Sequence, residues 1–357
     1  MARDTAFEQP ARTDDTMTQP YPPSWVNRFT GWVNRLPVPS WLPYLGLWLV
    51  SFLLLNGLKW LDRSQALGTI GIRHGARVLH PIYFLAMMHY LNVAAGAALR
   101  TFRPVLTVSE AEYKRLHYRL TTLPAQGALL ASGIGAALAG LTILIDPTPL
   151  NPEYATSRPM ALFDAAIFVV SLAILGILIY HTIHQFTTVN RIHAAATHID
   201  LFHPDPLYAF SGLTARTVVG YILIADFTYM FLREEATHPA TIGVFATMVL
   251  LAVAVFVLPL LGMHRRMLEE KERLRDETSR RMKAAIAELH RRVDTGDFDN
   301  MTELFRTMTS LEIERDVWLR IPTWPWEPGT VRGLISALLL PVMVWLIQRV
   351  LDSLLGS

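Results

Sequence analysis

The chain contains no cysteine, and charged residues make up only 17% of it. The missing cysteines exclude disulfide bonds, thiol nucleophiles, iron–sulfur clusters and cysteine-ligated zinc. Soluble domains usually carry about 25% charged residues, so this shortage of charge, together with 52% hydrophobic residues, indicates a membrane protein. The formal net charge of +2 gives no sign of a nucleic-acid partner. The sequence also has no Walker loop and no GxGxxG, GxSxG, HExxH or kinase motif, and we predict no cofactor.

The apolar residues are gathered into blocks that approach the roughly 20 residues needed to cross a hydrocarbon core about 30 Å thick. Because these blocks are continuously apolar and do not alternate with period two, they predict helices and not a barrel. We therefore predict an all-α, polytopic membrane protein with seven transmembrane helices, at about residues 42–60, 79–99, 126–145, 161–181, 208–232, 240–263 and 330–354. Six of these spans occupy residues 42–263. The third contains GIGAALAG (133–140), whose small residues suit close helix packing.

The N-terminal region divides into a tail and a short helix. Residues 1–23 are polar, contain prolines and lack the apolar segment of a signal peptide, which predicts a disordered tail. Residues 24–41 contain WVNRF and then WVNRL seven residues later, so that tryptophans and arginines occupy different faces of a helix. Such an amphipathic helix lies in the membrane interface. Packing of this helix against the rest of the protein is an equal alternative.

Basic residues are unevenly distributed among the predicted loops. Loops 100–125 and 264–328 are rich in lysine and arginine beside the membrane, whereas loops 146–160 and 233–239 have one arginine each. Because basic loops stay in the cytoplasm, we predict a cytoplasmic N-terminus, an outside C-terminus and residence in the plasma membrane. Loop 61–78 is basic yet falls outside. If the second span, which carries two histidines and a proline, does not cross, the N-terminal end is inverted.

Two spans are predicted to continue past the inner membrane face. The fourth runs on without a helix breaker to Pro204, and the sixth continues into residues 264–328, where acidic and basic residues balance. A break at residues 294–300 separates two amphipathic helices, which together predict a cytosolic bundle. The first has an apolar stripe at Met282, Ile286, Leu289 and Val293. The stripe on the second is a candidate oligomer interface, with the fourth-span extension as an alternative or additional partner, and consists of Met301, Leu304, Phe305, Met308 and Leu311.

The decapeptide IPTWPWEPGT (321–330) joins this charged helix to the last apolar span. Its prolines cannot continue a helix through the turn, and tryptophan rings favour the level of the lipid headgroups. We interpret the segment as a rigid elbow between a cytosolic helix and a transmembrane helix, and the alternative is an anchoring loop. The elbow residues are Trp324, Pro325, Trp326 and Pro328. Residues 329–357 form the seventh span.

A few polar residues within the apolar segments are candidates for chemistry. His181 and His184 share a helix face and are weak candidates for a metal site, but capping at the inner interface is the commoner role of such residues. His89 lies at mid-depth in the second span and is a candidate haem ligand only if a partner lies at the same depth. Asp226 in the fifth span is a functional candidate because a carboxylate is costly in lipid. A structural pairing of Asp226 is an equal alternative. Asp164 lies near the outer end of the fourth span, where we expect it to be solvated.

The seventh span carries a polar stripe. The stripe consists of Pro341, Trp345, Gln348 and Asp352, which fall on one helical face. A polar side of a membrane helix faces protein or water, so this face either lines a pore in an oligomer or packs inside the monomer. We take these four residues as candidate pore-lining residues.

This layout resembles the seven-transmembrane ion channel superfamily, which includes the insect odorant and gustatory receptors. The shared features are the inside N-terminus, the outside C-terminus, the inward helical extensions and a last helix split into a cytosolic and a membrane part. In the family motif, threonine-tyrosine, five apolar residues and glutamine-phenylalanine follow one another, and PVMVWLIQR (341–349) meets it only in part. Gln348 takes the glutamine position, whereas Pro341, Val342 and Arg349 depart from the motif. The resemblance implies a tetramer assembled by the cytosolic part, a pore lined by the membrane part, and no soluble enzyme activity.

Three functions therefore follow from the sequence. The first is a homo-oligomeric ion channel or channel-like receptor in contact with membrane lipid, with a small molecule as a possible ligand. The second is a membrane-embedded metal or redox enzyme that uses the histidines of the inner face. The third is a membrane scaffold whose cytosolic helices bind another protein.

Overall fold

The computed structural model describes residues 19–63, 65–145, 158–195, 200–231 and 239–326, and isolated positions between 329 and 343. In this part of the chain all regular secondary structure is helical. The long helices are α1 (Trp25–Val33), α2 (Trp41–Leu61), α3 (Ile72–Phe102), α4 (Glu110–Thr121), α5 (Ala125–Ile145), α6 (Arg158–Ala194), α7 (Ala209–Phe231), α8 (Pro239–Thr295) and α9 (Met301–Arg320).

Six of these helices, α2, α3, α5, α6, α7 and α8, are long and apolar enough to cross a membrane. They coincide with the first six predicted spans, so the chain has the helices of a multi-pass membrane protein and is all-α where described. Most of the predicted seventh span lies outside the described residues. The described positions of that segment are helical, and they are Gly329, Arg332, Gly333, Ile335, Ser336, Leu339 and Met343.

The N-terminal segment is attached to the helices. Residues 1–18 of the predicted tail lie outside the described residues, but Pro23 forms an isolated bridge with Pro124, and Tyr21 donates a hydrogen bond to the Thr122 carbonyl at 2.8 Å. In α1, Val26 and Val33 are buried. Both tryptophans of α1 are exposed, Trp32 to 53%, so α1 packs on the protein by one face and leaves its two tryptophans exposed.

Helix α3 is the centre of the helical bundle. It packs against α2, α4, α6 and α7, and 67% of its most apolar window is buried, compared with 17% for α2 and for α5. A helix surrounded by other helices has polar partners available inside the protein, so it carries histidine and asparagine at little cost. This position explains why its mean hydropathy is low although its 31 residues are long enough to cross a membrane.

Helices α5 and α6 are in backbone contact. A Cβ atom on Gly135 would lie 2.1 Å from the carbonyl oxygen of Leu172, and a Cβ on Gly176 would lie 2.4 Å from that of Ala131. Both glycines therefore allow an approach that no side chain permits. The predicted role of the small residues at 133–140 is confirmed at Gly135.

The predicted extensions are present, with one difference in length. Helix α8 continues for 57 residues to Thr295, and the predicted break follows, with left-handed backbone conformations at Gly296 and Asn300. Helix α6 ends at Ala194, ten residues before Pro204, so the prediction that it runs to Pro204 was wrong. Arg266 of α8 donates a hydrogen bond to the Ala194 carbonyl at 2.8 Å, which satisfies one of the carbonyls left open at a helix end. The sequence of α6 alone does not show this contact.

Candidate functional site at the helical hairpin, the elbow and the buried polar residues

Helices α8 and α9 form an antiparallel hairpin, which we define as residues 264–320. Trp318 of α9 is buried and donates a hydrogen bond from Nε1 to Thr278 Oγ1 of α8 at 3.2 Å. Thr278 in turn donates to Glu314 at 2.9 Å. The side of α9 that faces α8 is therefore the side of Trp318 and Leu311.

The candidate oligomer interface falls mainly on this inner side. Leu311 is 8% exposed, and Met301, Leu304 and Met308 are half-buried, whereas Phe305 is 70% exposed. An amphipathic helix needs a partner surface, and α8 of the same chain supplies one for this stripe. On α8, Ile286 and Val293 are exposed, so the stripe predicted there is only partly covered. The outer side of α9 keeps the large apolar residues Phe305, Ile313 and Val317 exposed.

The elbow is docked on α8 by a stack of four rings. Trp324 lies on His264 with ring centroids 4.0 Å apart and an interplanar angle of 12°. Trp326 lies on the other side of Trp324, with their ring centroids 4.6 Å apart, and Phe256 completes the stack with its centroid 5.2 Å from that of Trp326. Pro325 between them is buried, and Pro328 lies outside the described residues. The stack spans two turns of α8 at the end of its apolar part.

Hydrogen bonds fix the backbone before the elbow. The His264 Nδ1 atom is 2.9 Å from the carbonyl oxygen of Thr323, and Lys271 Nζ donates to the carbonyl oxygen of Ile321 at 2.7 Å. These contacts with α8 therefore fix the position of the backbone directly after α9. This geometry fits the interpretation of the segment as an elbow that orients the helix after it.

The four candidate pore-lining residues, Pro341, Trp345, Gln348 and Asp352, lie outside the described residues. The described positions of the last helix are all exposed. They fall on one face, because residues three and four apart are neighbours on a helix. Two of them, Arg332 and Ser336, are polar, and a Cβ atom on Gly329 or Gly333 would have no atom within 4 Å.

His89 is held by two hydrogen bonds. Its Nδ1 atom is 2.9 Å from the Tyr44 hydroxyl of α2, and its Nε2 atom is 2.8 Å from Oδ1 of Asn34 at the end of α1. The side chain is buried. A haem ligand needs a free ring nitrogen, and both nitrogens of His89 are engaged, so the arrangement joins three helices instead.

His181 and His184 contact different partners. His181 Nε2 is 2.8 Å from Asn92 Oδ1 of α3, and His184 Nε2 is 2.9 Å from the carbonyl oxygen of Arg119 of α4. Tyr21 also lies 3.3 Å from His184 Nε2. Across the described ranges no three histidine, cysteine, aspartate or glutamate residues are grouped as metal ligands would be. The pair connects α6 to α3 and α4.

The two aspartates of the apolar segments have opposite environments. Asp226 on α7 is half-buried and has no hydrogen-bond or ion-pair partner within the described part of the chain. Asp164 on α6 is 5% exposed and pairs with Arg77 of α3 at 2.9 Å. Our expectation that Asp164 is solvated was therefore wrong, because sequence position near a span end does not show that an arginine of another span lies opposite. Arg77 falls in the predicted basic loop 61–78, whereas the structure places it within α3.

The polar contacts of α3 continue along its length. His80 Nε2 is 2.8 Å from the Thr228 hydroxyl of α7, and Tyr83 donates to the Gly220 carbonyl at 2.7 Å. Together with His89 and Asn92, these residues bind α3 to its neighbours at several depths.

The chain matches no protein-family model, no curated protein and no solved structure.

Proposed function

We propose that the protein is a homo-oligomeric ion channel or channel-like receptor, with the last helix lining a central pore. The observation that carries this proposal is that every described position of that helix is exposed in the single chain, and that this exposed face includes the polar residues Arg332 and Ser336. A polar face of a membrane helix is stable against protein or water and costly against lipid. A second subunit or an aqueous pore supplies that environment, and a lone chain surrounded by lipid does not.

The hairpin supports the same proposal. The inner side of α9 is covered by α8, but Phe305, Ile313 and Val317 remain exposed on its outer side. In an assembly with closed symmetry, each of these patches faces the neighbouring subunit. The elbow then connects the assembly surface to the pore helix through the stack on His264. A tetramer in the plasma membrane, with the hairpin in the cytoplasm, is the arrangement that we propose.

The candidate pore residues lie on the opposite side of the helix from the exposed positions, if the helix is continuous to residue 352. The exposed face, with Arg332 and Ser336, then meets a neighbouring subunit, and the opposite face, with Gln348 and Asp352, meets the pore. A ring of Asp352 carboxylates favours cations. Arg349 lies about 100° around the helix from Gln348 and weakens that preference.

The proposal is tested by counting subunits and measuring ion flux with the full chain. We expect native mass spectrometry of the detergent-solubilised protein to show an oligomer, and vesicles containing it to conduct cations. Phe305→Ser places a polar group in the proposed contact and should weaken the oligomer, whereas Thr302→Ser, at another exposed position of the same helix, should not. A monomer without flux would overturn the channel and leave the exposed face of α9 as a docking surface of a scaffold.

A further inference from the structure

A cavity of about 320 Å³ opens between the C-terminal part of α6 and α8, at the level where the apolar part of α8 ends. Its polar walls are formed by Asn190 and His193 of α6 and by Arg265 and Arg266 of α8, and its apolar wall by Leu258 and Leu261. The volume lies in the range of roughly 300–1,000 Å³ that is usual for small-ligand sites. None of the described residues that line it is acidic.

Two contacts shape the walls of this cavity before any ligand is present. The Nδ1 atom of the buried His193 lies 2.9 Å from the carbonyl oxygen of Pro259. The His193 ring packs against Phe102 and Phe210, with centroids 5.5 and 5.3 Å away. Arg266 donates to the Ala194 carbonyl at 2.8 Å and so joins the end of α6 to α8. A site built in this way loses little conformational entropy on binding.

Arg265 lines the cavity and differs from two other arginines of the hairpin, which are paired with glutamates of α8. Arg291 is paired with Glu288 at 2.7 Å, and Arg273 with Glu270 three residues away. For the exposed Arg265, no ion pair or hydrogen bond is formed with any residue that the structure describes. The cavity therefore has an excess of positive charge that an anion neutralises.

The apolar face of α8 next to Arg265 indicates which anion fits the cavity. Leu250 and Leu258 are 71% and 57% exposed, and with Leu261 they lie on the same face of α8 as Arg265, towards the middle of the span. An apolar chain lying on these leucines places a charged headgroup at the cavity. Basic pockets between transmembrane helices bind anionic lipid headgroups in this manner.

We propose that this cavity binds the phosphate headgroup of an anionic membrane lipid, with Arg265 and Arg266 facing the phosphate and the lipid chains lying along the leucine face of α8. Free inorganic phosphate shares the charge but lacks the chains. Phosphatidylcholine shares the chains and the phosphate but has no net charge. These two molecules separate the contributions of charge and chains.

The test is native mass spectrometry of the full-length protein titrated with phosphatidylglycerol or phosphatidylcholine. We expect preferential retention of phosphatidylglycerol, about fivefold lower retention in Arg265→Gln, and no displacement by excess inorganic phosphate. Arg275→Gln removes an exposed arginine ten residues further along α8 and should retain lipid like the unmodified protein. Equal retention of both lipids, or equal retention by Arg265→Gln and the unmodified protein, would overturn the proposal. Full displacement by phosphate would overturn the lipid as the ligand.

Discussion

Arg77 of α3 and Asp164 of α6 form a 2.9 Å ion pair whose side chains are 13% and 4% exposed. The pair lies within two apolar helices, where a single charge without its partner is unfavourable. It therefore fixes the position of α6 on the central helix α3. The same function is served nearer the other end of α3 by Asn92, which holds His181.

We predict that Asp164→Ala lowers the free energy of unfolding by about 3–5 kcal/mol, because it leaves a buried guanidinium without this partner. The double variant Arg77→Met with Asp164→Ala should lose less than the sum of the two single changes, since it removes both charges. Thermal unfolding in detergent, followed by circular dichroism, measures all four proteins. Strict additivity of the two losses would show that the pair is not coupled.

The contact between α5 and α6 gives a second prediction with a matched control. Gly135→Ala places a methyl group 2.1 Å from the carbonyl oxygen of Leu172, so the helices must separate, at a cost of about 1–3 kcal/mol. Gly133→Ala lies two residues earlier, where a Cβ meets no atom within 4 Å, and should be neutral or stabilising by up to about 1 kcal/mol. Equal melting temperatures for the two variants would contradict the backbone contact.

The elbow is tested by removing Trp324, one of the two inner rings of its stack. Trp324→Ala eliminates the contacts with His264 and Trp326, each worth about 0.5–1.5 kcal/mol beyond the area that it buries. The segment should then open more often, and trypsin should cut after the exposed Arg320 several times faster. Trp41→Ala removes an indole that is 61% exposed, and should leave that cleavage rate unchanged. If both variants are cut at the rate of the unmodified protein, the stack does not hold the elbow.

The sequence was sufficient for the elements that depend on local patterning. The six described spans, the long α8 and the break before α9 follow from runs of apolar residues and from glycine, aspartate and asparagine at the turn. The role of Gly135 also follows, because small residues in an apolar span have few other uses.

Features that depend on contacts between distant segments could not be predicted. The end of α6 at Ala194 is set partly by Arg266, which lies 72 residues away. Asp164 is buried because Arg77 is opposite, and the apolar stripe of α9 has its partner in α8 of the same chain. Periodicity identifies a face that requires a partner, but it does not show whether the same chain or a second copy supplies it.

The pore is tested most directly by cysteine scanning of the last helix, which suits a chain without native cysteine. Cysteines replacing Pro341, Trp345, Gln348 and Asp352 should react with a water-soluble thiol reagent and change the measured current. Cysteines replacing Leu339, Met343, Leu346 and Val350, on the other face, should be protected or should leave the current unchanged. Uniform protection along the helix, or reaction without any effect on a current, would contradict a pore lined by this helix.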